Sequence, residues 1–143
     1  MQLCRKCVRI ALKIDFWGVN MEQSDEMEKI IRLALIKIGI KCDLKGYFYL
    51  TKAIKLVIDD PLLVFDMKSV YKKIAQIYKL KDCYRVEANV LNAINYMFES
   101  HGIEGINALF KMEILKSDRK PNVAEFIQLI CEYYSLGLYN DAN

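Results

Sequence analysis

Residues 66–98, DMKSVYKKIAQIYKLKDCYRVEANVLNAINYMF, read as two helices joined by a short polar turn. The first holds a small residue, Ala75, in its interior. The second sets Val86, Val90, Ile94 and Met97 three or four residues apart, which gathers them on one apolar stripe. This pattern predicts a helix-turn-helix, in which the second helix is offered to the major groove of DNA. Residues 66–85 carry Lys68, Lys72, Lys73, Lys79, Lys81 and Arg85 against Asp66 and Asp82, a local excess of four positive charges. The outward face of the second helix is, by contrast, poor in cations.

Helical signals continue on both sides of the pair. Asp25 and Glu28 have capping-box spacing ahead of the periodic run Ile30, Ile31, Leu35 and Ile38, which Gly39 stops. A further helix is expected from about Tyr47 to Ile58, ending at Asp59-Asp60-Pro61. His101-Gly102 closes the long helix of the pair, His101 reading as its C-terminal cap, and a short helix follows over residues 103–110. The last helix opens at Lys120-Pro121-Asn122, again with capping-box spacing between Asn122 and Glu125, and buries Phe126, Ile127, Ile130 and Tyr134. Strand alternation is missing beyond the opening stretch, and no repeat is found. The fold class is therefore all-α, with about six helices around a central helix-turn-helix.

Composition is consistent with this. A chain of 143 residues, 54% hydrophobic with only two prolines, can bury a core as a single folded domain. Its net charge of +3 is too mild to identify a nucleic-acid binder by itself. No segment approaches the roughly 18 uninterrupted apolar residues of a membrane span. Arg9, Lys13 and Asp15 break the apolar run of residues 1–20, making it a poor signal peptide. That stretch reads equally as a docked strand or helix, a flexible arm, or an extension upstream of Met21. The expected division is an N-terminal extension over 1–23, a helical domain over 24–138 and a tail over 139–143. Five cysteines, an odd number without secretory context, read as reduced thiols of a cytoplasmic protein.

Other chemistry is thinly represented. Cys4-x-x-Cys7 has metal or redox spacing, but Cys42, Cys83, Cys131 and His101 supply no matching pair, so no metal or cofactor is expected. Tyr47, Tyr49, Tyr71 and Tyr78 fall at helical positions suited to the core, with base stacking as the alternative. A Gly-rich phosphate loop, a paired-carboxylate site and a nucleophile with its base are all lacking, which argues against an enzyme.

Lys45-Gly46-Tyr47-Phe48-Tyr49-Leu50 followed by Ala53-Ile54 resembles the second-helix signature of a known effector domain. Tyr71 with Ile74-Ala75, Arg85-Val86-Glu87, Ala93-Ile94, Leu109-Phe110 and Lys120-Pro121 with Glu125-Phe126-Ile127 match it further, in order. The resemblance spans about residues 28–136 and is to the C-terminal DNA-binding domain of the sporulation master response regulators, the stage-zero sporulation protein A family. It implies a six-helix response-regulator effector domain, akin to winged-helix domains, whose third and fourth helices form the helix-turn-helix. It further implies binding to promoter sites in double-stranded DNA as a homodimer, and contact with the RNA polymerase sigma subunit.

The chain also departs from that pattern. The receiver domain that precedes the effector in the family does not fit within residues 1–23. The turn from Lys79 to Tyr84 reads as one residue longer than the family's. Ala88 and Leu91 stand where the family has basic residues, and Ile36 where its first helix has a histidine.

With the apolar stripe facing the core, the outward face of the recognition helix, near residues 82–100, presents Arg85, Ala88, Asn92, Asn95, Tyr96 and Glu99. Arg85 and Glu87 match family positions that read bases, and the resemblance carries that role to them. Asn89 and Asn92 follow from side-chain chemistry: Asn pairs with adenine as Arg does with guanine and Glu with cytosine. For the two asparagines, ordinary solvated helix positions are the alternative. Lys72, Lys73, Lys79, Lys81 and Tyr84 are candidate backbone contacts, or else a solvated basic face. Two functions are thus expected: a sequence-specific transcription regulator, or an interaction protein that pairs with a full-length regulator or the sigma subunit as an antagonist. The neutral helix face and Leu91 motivate the second.

Overall fold

The computed structural model describes residues 21–141. Six α-helices make up its body: α1 (Met21–Ile38), α2 (Lys45–Asp59), α3 (Met67–Ile77), α4 (Tyr84–Glu99), α5 (Gly102–Phe110) and α6 (Val123–Ser135). Two 3₁₀ turns, Pro61–Phe65 and Leu138–Asp141, complete it, and the described residues include no strand. The fold class read from the periodicity is the one observed. Residues 1–20, with the Cys4-x-x-Cys7 pair, lie outside the described residues.

The central element is α2, which packs against α1, α3, α4 and α6. Tyr47, Tyr49, Leu50, Ala53, Ile54 and Val57 are all buried, so apolar side chains leave this helix in several directions, as a helix enclosed by neighbours requires. Its crossing with α4 is set by Gly46. A Cβ there would lie 2.3 Å from the carbonyl oxygen of Asn89 and 2.8 Å from Cβ of Ala93. Only the bare backbone of α2 fits at this separation, and that contact fixes how α4 is carried on the core.

Several boundaries follow the expected signals. At Gly39, φ is +107°, and the Ile40 amide donates to the Leu35 carbonyl, which closes α1. Asn122 caps α6 by accepting from the Glu125 amide at 2.8 Å; Asp66, not read as a cap from the sequence, caps α3 by accepting from the Ser69 amide and hydroxyl. Glu125 does not complete a capping box, because its carboxylate is held by Arg119 at 3.0 Å.

Four local expectations are corrected. Asp25 and Glu28 lie inside α1, which begins at Met21, so they do not cap its start. Glu28 instead accepts from Lys52 and Lys55, each at 3.1 Å, and ties α1 to α2. Burial pushes its carboxyl upward, but the two ammonium hydrogen bonds outweigh this and hold it below the ordinary carboxylate value. Tyr134 is only half-buried, and its neighbour Tyr133 occupies the core side of α6. Tyr78 is exposed, its ring meeting buried Tyr49 edge-on at 5.2 Å. His101 caps nothing with its side chain. It is the left-handed residue (φ +65°) between α4 and α5, its amide donating to the Phe98 carbonyl.

Candidate nucleic-acid interface

Helices α3 and α4 are joined by a turn whose geometry is set residue by residue. Beyond the end of α3, Lys79 takes φ +55°, donating its amide to Gln76, while the Leu80 amide reaches back to Ala75 at 2.8 Å. This pair of bonds is a Schellman motif with lysine where glycine is usual. Leu80 packs against the core and anchors the turn from beneath. Asp82 then begins α4: its Oδ1 accepts from the amides of Tyr84 at 3.0 Å and Arg85 at 3.3 Å, satisfying donors that the helix leaves open. The turn is therefore built, and it directs Lys79, Lys81 and Tyr84 outward at the N-terminal end of α4, all exposed.

Along α4, Val86, Val90, Ala93, Ile94 and Met97 are buried to within 1% of complete exclusion from solvent. Of the outward face expected, Arg85, Ala88, Asn92, Tyr96 and Glu99 are exposed, whereas Asn95 is half-buried. Glu87 is exposed on the shoulder toward α3, where its carboxylate lies near Tyr71. Burial, with that carboxylate second, pushes the Tyr71 hydroxyl up to about 12.

The two asparagines proposed to read bases differ. Asn92 is exposed and has no hydrogen bond to another described residue, whereas Asn89 is half-buried and donates an amide hydrogen to the Arg85 carbonyl at 2.8 Å. Bidentate pairing with adenine needs both ends of a carboxamide, so Asn89 must rotate before it can serve. Lys72 and Lys73 project from the exposed side of α3, opposite buried Val70, Tyr71, Ile74 and Ala75. None of Lys72, Lys73, Lys79, Lys81 and Arg85 has an ion pair among the described residues.

Two contacts escaped the sequence reading. Lys120, from the loop between α5 and α6, donates to Asn95 Oδ1 at 2.7 Å. Lys41, from the turn between α1 and α2, sits over the Tyr96 ring, 4.8 Å from its centroid. These pairs are 25 and 55 residues apart in the chain, so local periodicity carries no signal for them.

The arrangement defines a class: a compact helical domain that presents a helix-turn-helix with an exposed second helix. Residues 31–134 match the family model of the sporulation initiation factor Spo0A C-terminal domain, and the chain belongs to that family. It is a family of DNA-binding regulator domains of sporulation initiation and not one of enzymes. No helix among the described residues is long and apolar enough to cross a membrane.

Proposed function

We propose that this chain is a sequence-specific DNA-binding transcription regulator that inserts α4 into the major groove of promoter sites. The observation carrying this reading is the exposed face of α4 with Arg85 at its start, next to cations that form no ion pair with a described carboxylate. Arg85 suits bidentate pairing with guanine, and Glu87 and Asn92 supply an acceptor and a carboxamide for neighbouring pairs. Lys72, Lys73, Lys79, Lys81 and Tyr84 contact phosphates, and Asn89 joins the base readers after rotating. Homodimerisation on DNA and contact with the sigma subunit belong to the same proposal, supported by family membership alone.

The test is a binding series on a duplex carrying a promoter box recognised by the family, with a scrambled duplex as control, across a range of salt. The regulator reading expects tighter binding to the box, affinity that falls steeply with salt, and a loss of about 1–3 kcal/mol for Arg85→Ala on the box alone. Wild-type protein that binds neither duplex at low salt would sink it.

A second reading, the antagonist that pairs with a full-length regulator or the sigma subunit, is favoured by one observation. Leu91 is 43% exposed beside exposed Ala88, leaving an apolar spot on the helix face that otherwise reads DNA.

A further inference from the structure

The recognition helix has a single cation of its own, Arg85, yet two lysines from distant turns are laid against its outward side. Asn95 and Tyr96 are consecutive in α4 and therefore point about 100° apart, toward different shoulders of the exposed face. Lys120 reaches the first, through the 2.7 Å hydrogen bond, and Lys41 the second, through its place over the ring.

Both lysines are held by neighbours that cannot move freely. Ile40, just before Lys41, is 2% exposed, and Pro121, just after Lys120, is buried. The loop leading to Lys120 is clamped by Asn107. That side chain accepts from the Ile114 and Leu115 amides at 2.9 and 3.0 Å and donates to the Leu115 carbonyl at 2.9 Å, with Leu115 itself buried.

We infer that Lys41 and Lys120 are phosphate-contacting residues that flank α4 on two sides and replace the positive charge its own sequence lacks. The inference rests on α4 entering the major groove as proposed above. A helix of 16 residues is about 24 Å long, and Asn95 lies about 15 Å beyond Arg85 along its axis. The major groove is about 12 Å wide. When Arg85 stands over base edges, the segment carrying Asn95 and Tyr96 has therefore run far enough to reach the sugar–phosphate ridge. Lysine suits a ridge contact because it acts as a point charge with three hydrogens. The Asn95 oxygen takes one of those of Lys120 and leaves two for a phosphate. Anchoring both side chains in advance reduces the rotamer freedom lost on binding.

Acids lie nearby in the chain, but neither lysine forms an ion pair with a described carboxylate. Asp43 lies two residues after Lys41, Asp118 two before Lys120, and Glu99 one helical turn beyond Asn95. Arg119 is not available, because Glu125 holds it.

The experiment measures salt dependence for Lys41→Gln, Lys120→Gln and the double variant on the box-bearing and scrambled duplexes. Each single variant is expected to lower the slope of log K against log salt by about 1 and the double variant by about 2, equally on both duplexes. Lys→Arg at the same positions is expected to restore the slope, since it keeps the charge. Arg85→Ala, by contrast, acts mainly on the box. Slopes unchanged in all the glutamine variants, while Arg85→Ala still weakens box binding, overturn this inference and leave the groove reading standing. Wild-type protein that binds neither duplex at low salt overturns both.

Discussion

Lys79 combines two roles that a substitution can separate. Its backbone is left-handed at φ +55°, a conformation that strains any residue with a Cβ, while its ammonium is offered at the head of α4. Lys79→Gly is therefore expected to raise the unfolding free energy by about 0.5–1 kcal/mol, the relief of strain exceeding the added freedom of the unfolded chain. It is also expected to reduce the salt slope of DNA binding by about 1. Denaturant unfolding and binding measured on the same variant check both halves, and a loss of stability would contradict the backbone account. The lysine itself was visible in the sequence, but its left-handed φ was not. Lysine carries no turn signal comparable to glycine, and here tertiary context, Leu80 packed beneath, overrides local preference.

At the scale of the element, the sequence told most where periodicity was strong. The buried stripe of α4 appeared as read, because its side-chain spacing answers to the core alone. The reading was weaker at helix ends, where short polar residues have several partners to choose from. Asn122 caps as its position suggests, whereas Asp25 and Glu28 sit inside a helix and Glu28 serves lysines of α2, and the cap at Asp66 went unread. The outward face of α4 gives the element-scale prediction. Ala88 and Leu91 are both exposed, so arginine at either position meets solvent and not the core. The double variant Ala88→Arg with Leu91→Arg is expected to tighten DNA binding and to steepen the salt slope by about 2, read by the same titration. An unchanged affinity would mean that this face is turned away from the duplex.

For the molecule as a whole, the candidate interface is assembled from three parts of the chain. The helix pair supplies Arg85, Glu87 and the lysines of α3 and the turn, and all of these were legible, since they lie within one stretch of sequence. Lys41 and Lys120 were not, because they reach α4 only after α1, α2, α5 and α6 have packed around it. Gly46 links the scales: a missing side chain on α2 lets α4 approach, and the approach brings the α1–α2 turn beside Tyr96. The family membership fixes the type of domain, while the charge on this particular α4 face is a property of how the whole chain closes around it.

The central claim, that the exposed face of α4 and its flanking lysines meet the DNA, is tested most directly by mapping backbone amide shifts during titration with a box-bearing duplex. The account predicts the largest changes at Lys79, Lys81, Tyr84, Arg85, Asn92 and Asn95, with a second group at Lys41 and Lys120. Changes centred instead on the outward side of α6, at Gln128, Leu129 and Glu132, with α4 unmoved, would contradict it.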